Sequence, residues 1–135
     1  MIFIDTSVFV AYIVDKDTNH EKAVSLMEEI VVGGHGPAIT SEYVFDETVT
    51  VVLVRSKSLD SAVRTGNSIR ESMPVIDIDN IIFEAAWNRF RGQKNTRFSF
   101  TDCTILEIVE NNHIEELATF DEEFKGSSRF KVAGS

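Results

Sequence analysis

The sequence predicts an α/β fold with a mainly parallel sheet of four to five strands and helices on both faces. Two observations carry that expectation. Short apolar runs recur along the chain, and nearly every one is followed by a longer segment with helical periodicity. Such alternation makes successive strands parallel, because each helix carries the chain back to the edge where the next strand begins.

The elements follow in order. Residues 1–4 are an apolar strand ending at Asp5-Thr6-Ser7, a trio that stops a buried strand and can cap a helix over residues 8–14. Over residues 19–32, Ala23, Leu26, Met27 and Ile30 recur at three- and four-residue spacing, which predicts an amphipathic helix. The Gly33-Gly34-His35-Gly36-Pro37 stretch breaks it before a short strand at 38–40. Residues 48–54 are rich in β-branched side chains and would read locally as strand. Residues 41–56, however, contain no Gly or Pro and are too long for an ordinary strand, so a largely buried helix is expected. A helix at 59–71, a strand at 73–78 opened by Pro74, and a helix at 81–90 with Phe83, Trp87 and Phe90 on one face come next. After a polar, basic connection at 91–97, Ser99 and Thr101 compete to cap a helix running to about residue 111. A strand at 117–120 ends at Asp121, and residues 130–132 add an edge strand. The 135 residues fit one domain, 1–135, with enough apolar content to close a core.

Composition narrows the function. A net charge of −9 argues against adhesion to nucleic acid through a broad basic surface. A nucleic-acid enzyme of this composition must work through metal ions and a local basic patch. The single cysteine excludes an intrachain disulfide and leaves no paired ligand spacing for structural zinc. With no basic n-region before the first apolar run and no apolar stretch of membrane-spanning length, the expected location is cytoplasmic, without membrane contact. No nucleophile-elbow motif accompanies His20, His35 or His113, and the glycine cluster lacks the Lys-Ser/Thr ending of a phosphate-binding loop. Cys103 is read as a packing residue.

Four acids stand out. Asp5 and Asp121 follow strands, and functional groups in parallel sheets gather beyond the carboxyl ends of strands. Asp102 falls three residues after Ser99, in capping-box spacing. Each of the three has a simple alternative role as a helix cap. Glu47 is different. At 100° per residue it falls between Val51 and Val54 on an apolar sector, with no Lys or Arg three or four positions away to pair with it. Asp46 is the rival acid, but it lies on a more polar line with Glu42 and Thr50. Together the four acids make the oxygen-rich donor set that Mg²⁺ or Mn²⁺ prefers, and a cation would relieve their mutual repulsion.

The stretches FIDTSVFVAY from Phe3, ITSEYVFDETVTVV from Ile39, FSFTDCTILEIVENNHIEEL from Phe98 and ATFDEEF from Ala118 resemble the PIN-domain family, in particular its VapC toxin branch. The resemblance covers nearly the whole chain, in order and spacing. It places the family's acidic positions on Asp5, Glu47, Asp102 and Asp121. It implies a three-layer α/β/α sandwich, Mg²⁺- or Mn²⁺-dependent endoribonuclease activity, homodimerisation and, for a toxin, a cognate antitoxin protein. Thr6 and Thr119 match small hydroxyl positions beside the acids; there they either support the acids or a metal-bound water or cap local backbone. Arg91, Lys94 and Arg97, with Arg89, form the densest basic run and are the candidate contacts to the RNA backbone, with a solvated loop as the alternative. A PIN-like module that binds RNA or protein without cutting is the competing reading of the whole chain.

Overall fold

A computed structural model describes residues 1–134. Five strands form one sheet in the order β3-β2-β1-β4-β5, and all four strand pairs are parallel. The strands are β1 (Ile2–Ile4), β2 (Ala38–Ser41), β3 (Val75–Ile76), β4 (Glu116–Ala118) and β5 (Lys131–Ala133). Six helices connect them: α1 (Thr6–Ile13), α2 (His20–Val31), α3 (Glu42–Ser56), α4 (Leu59–Ser72), α5 (Asn80–Arg91) and α6 (Phe100–Asn111). Helices cover both faces, giving the three-layer α/β/α arrangement expected from the sequence.

The chain starts at the middle of the sheet, builds outward through β2 and β3, then returns to the other side of β1 for β4 and β5. The strand order therefore reverses between β1 and β4. In an open parallel sheet such a reversal leaves a crevice at the carboxyl edge, because the connections from the two central strands diverge there. Asp5 leaves β1 at that point, and Thr119 and Asp121 leave β4 beside it.

Burial explains why the central strand is so short and so apolar. Ile2, Phe3 and Ile4 are fully buried, as expected of a strand covered on both faces. Val8 and Phe9 of α1, Leu26 and Ile30 of α2, and Ile105, Ile108 and Val109 of α6 pack in the same core. Each such side chain contributes about 1.5–3 kcal/mol when taken from water. Gly66 of α4 faces α3, where an added Cβ would stand 3.2 Å from side-chain atoms of both Phe45 and Val49. The missing side chain lets α4 approach closely the helix that carries Glu47.

Several expectations are refined. The segment at 41–56 is helical, with Ser41 accepting from Val44 N as N-cap, yet it is not largely buried. Only Val44, Thr48 and Val52 are buried, while Val54 is 67% exposed. Packing against one side is enough to override β-branched propensity over fifteen residues. Strand β3 has two residues rather than six, because the chain leaves the sheet after Ile76 toward Asp79, the N-cap of α5. Strand β4 ends at Ala118, so Thr119 and Phe120 already belong to the loop above the sheet. Ser99, not Thr101, caps α6, in a reciprocal capping box with Asp102.

Candidate metal-binding cleft

Asp5, Glu47, Asp102 and Asp121 line one cleft of about 400 Å³, together with Thr6, Ser7, Asp17, Asn19, Arg55 and Ser99. Each acid arrives by a different local device. Asp5 follows β1 directly and caps α1, its Oδ1 accepting from Thr6 N at 2.7 Å. Its Oδ2 accepts from Thr119 Oγ1 at 2.8 Å and from Ser7 Oγ at 3.3 Å. Asp102 occupies the third position of α6, where Oδ2 accepts from Ser99 N at 3.0 Å. Asp121 begins a 3₁₀ turn over Glu122–Gly126, with Oδ1 accepting from Glu123 N at 3.0 Å. Capping and cleft-facing are therefore not alternatives for these three residues: one oxygen or one lone pair satisfies the helix and leaves other acceptor capacity toward the cleft.

Glu47 corrects the sequence reading in one respect. It is exposed, and the buried line of α3 passes through Val44, Thr48 and Val52 instead. Its carboxylate avoids burial because that side of α3 opens onto the cleft. Asp46 is also exposed, but it does not line the cleft.

The electrostatics tie the acids together. Asp5 is only 5% exposed, and burial, reinforced by the charges of Asp102 and Glu47, pushes its pKa up to about 7 despite the opposing hydrogen bonds from Thr119 and Thr6. Asp102 is raised as well, first by burial and then by the charges of Asp121 and Glu47. Protonation of one carboxyl, or a divalent cation shared by several, is the physical remedy for such a cluster.

Hydroxyls knit the floor. Thr119 is buried and bridges Asp5 and Asp121, donating to the Asp5 carboxylate and accepting from Asp121 N at 3.0 Å. Ser7, which sequence reasoning treated only as part of a capping trio, accepts from Phe120 N at 3.0 Å while facing Asp5. Thr6 Oγ1 is buried with no hydrogen-bond partner among the described residues. An orphaned hydroxyl beside a carboxylate cluster is an unused ligand or water contact.

The residues present fit a hard divalent cation in kind: all donors are oxygen, their charges repel, and Thr6 Oγ1 stands unpaired at the same cleft. Among the described residues, no three His, Cys, Asp or Glu side chains already stand in a ready-made ligand group. Carboxylates without a counter-ion repel one another, and Glu47 is exposed on the side of α3 that lines the cleft.

The basic run separates into two kinds of residue. Arg89 is tied down, donating from Nε to Glu107 at 2.6 Å and from Nη2 to Glu110 at 2.8 Å, which fastens α5 to α6. Arg91, Lys94 and Arg97 are exposed at the end of α5 and in the following loop, and none lines the cleft. Ser99, two residues beyond Arg97, does. Sequence reasoning missed Arg55 and its partner Asp17. Their signal was weak, since Arg55 lies two helical turns from Glu47 and Asp17 sits in the connection between α1 and α2.

A family model for the PIN domain matches residues 2–127. The chain belongs to the PIN domain family. Among solved structures, this PIN domain is similar to VapC20 of Mycobacterium tuberculosis, described as a sarcin–ricin loop cleaving toxin. The two share 25% identity over 95% of each chain, with a TM-score of 0.83. It is also similar in fold to VapBC2 from Rickettsia felis, whose crystal structure holds a DNA fragment from their promoter; there the identity is 16%, coverage is 98% of each chain and the TM-score is 0.70. No curated protein sequence matches the chain. No helix among the described residues is long and apolar enough to cross a membrane.

Proposed function

We propose that this PIN domain is a metal-dependent endoribonuclease that hydrolyses RNA phosphodiester bonds, and that it acts as the toxin of a toxin–antitoxin pair. The observation that carries the reading is that Asp5, Glu47, Asp102 and Asp121 all line one cleft, at the reversal point of a parallel sheet. The similarity to a toxin described as cleaving the sarcin–ricin loop supports RNA as the substrate class.

Asp5, Glu47, Asp102 and Asp121 would hold Mg²⁺ or Mn²⁺. When bound, such a cation supplies Lewis-acid charge to the scissile phosphate and lowers the pKa of attacking water. The chain's own residues do the rest. Thr119 and Ser7 fix the orientation of Asp5 by donating to one of its oxygens. Thr119 also holds the backbone of Asp121, so Asp5 and Asp121 keep a constant relation. Arg91, Lys94 and Arg97 are proposed to meet the RNA backbone as it leaves the cleft past Ser99.

Partners follow the same reading. A cognate antitoxin would silence the enzyme by docking a peptide segment over the cleft, and coexpression should yield a stable complex. A homodimer is proposed by family resemblance. Phe83, Trp87 and Phe90 of α5, grouped around Phe100, are between 36% and 47% exposed and offer apolar area to a second copy.

The test is cleavage of structured RNA by purified protein with Mg²⁺ or Mn²⁺, with Glu47→Gln prepared in parallel. Metal-dependent cleavage lost in the variant supports the reading. Equal cleavage by both proteins assigns the activity to a contaminant, and binding without cleavage favours the non-cutting module.

A further inference from the structure

We propose that Arg55 is the phosphate-receiving cation of the cleft, held in place by Asp17 until an RNA strand enters. This inference rests on the ribonuclease reading and names how that site accepts a polyanion. Among the described residues that line the cleft, five are carboxylates and Arg55 is the one Lys or Arg. An RNA strand approaching four unscreened acids meets repulsion, so a fixed cation at the cleft wall has a direct use.

The geometry is that of an exchangeable pair. Arg55 Nη1 donates to Asp17 Oδ2 at 2.8 Å, and Arg55 makes no other side-chain hydrogen bond among the described residues. Nε and Nη2 are left for a second acceptor, and a guanidinium presents adjacent N–H groups at the spacing of phosphate oxygens. The Arg55 side chain is 40% exposed, whereas Asp17 is 17% exposed and its Oδ1 is pinned by Asn19 N at 2.9 Å. The acid is thus the fixed member and the arginine the free one. Val51 lines the wall between Glu47 and Arg55, so the cation stands on the same helix as one of the acids, two turns along. Because the guanidinium end of the pair is open to water, a phosphate can reach Arg55 and compete with the carboxylate for it.

A purely structural role, fastening the α1–α2 connection to the end of α3, predicts something else. Breaking the pair from either side would then have the same effect. In a phosphate-receiving role, the two halves act in opposite directions.

The experiment measures binding of a short fluorescein-labelled single-stranded RNA across a salt series, together with kcat and KM for cleavage, in the parent, Arg55→Gln, Arg55→Lys and Asp17→Asn. Arg55→Gln is expected to weaken binding about tenfold and to reduce the slope of log K against log salt by about 0.7, the value for one phosphate contact on a single strand. Arg55→Lys should keep the slope while recovering part of the affinity. Asp17→Asn should tighten binding, since it frees the guanidinium, and KM should move with Kd in each case. Unchanged Kd and slope in Arg55→Gln would overturn the proposal, as would Asp17→Asn weakening binding as much as Arg55→Gln does. A parent protein that neither binds nor cleaves RNA would instead overturn the ribonuclease reading on which the proposal rests.

Discussion

Thr119 Oγ1 donates to Asp5 Oδ2 at 2.8 Å, joining the loop after β4 to the residue that ends β1 across 114 positions of sequence. The same oxygen accepts from Asp121 N, so one buried hydroxyl sets the relation between two of the four acids. Thr119→Val keeps the shape and removes both hydrogen bonds. Loss of a buried donor beside a carboxylate costs about 1–3 kcal/mol, and Asp5 should become still harder to ionise. Chemical denaturation checks the first, and NMR titration of the Asp5 carboxyl checks the second.

Metal-free stability should depend on pH through Asp5. Its folded pKa, about 7, lies above the ordinary value of 3.8, so the folded state binds the extra proton between those values. Stability is then greatest below pH 3.8 as far as this group is concerned, and it falls as pH rises toward 7. Asp5→Asn should flatten that slope, and saturating Mg²⁺ should offset the loss by favouring the ionised form. Denaturation midpoints across the pH range, with and without metal, read both effects.

Removing charge from the cleft should stabilise the metal-free protein while abolishing activity. Glu47→Gln and Asp102→Asn each relieve repulsion on Asp5, and each should raise the metal-free melting temperature while lowering cleavage by at least about 100-fold, the scale of a lost catalytic group. A parallel fall in melting temperature would show that the residue supports the fold instead.

His35 gives an independent pH signature at the opposite edge of the sheet. Its ring bonds to Glu116 from Nδ1 at 3.1 Å and to Glu29 from Nε2 at 3.2 Å, and these carboxylates raise its pKa above 6.5. The stabilisation is present below pH 6.5 and is lost as pH rises through the raised value. His35→Gln should remove that upper limb and leave the Asp5 limb intact.

The basic loop is tested by replacing Lys94 and Arg97 together with Gln. RNA affinity should fall and its salt dependence should flatten; unchanged binding would remove this loop from the interface.

Much of this arrangement was legible because parallel sheets impose it. Asp5 could be placed at a strand end and Asp121 just beyond one from the apolar runs before them, and helix α3 from its length without Gly or Pro, against its own β-branched propensity. What escaped was set by tertiary packing. The helical wheel put Glu47 among valines but could not show that this side of α3 opens onto a cleft. Ser7 looked like a cap, because only the fold brings Phe120 N to its hydroxyl. Arg55 and Asp17 are separated by a whole helix and strand, and no periodicity links them.

A cation shared by the four acids is tested most directly by anomalous scattering from a crystal soaked in Mn²⁺. The predicted result is a manganese peak bounded by Asp5, Glu47, Asp102 and Asp121, with Glu47 rather than Asp46 turned inward. A peak that excludes Glu47, or soaked crystals with no manganese in this cleft, would contradict it.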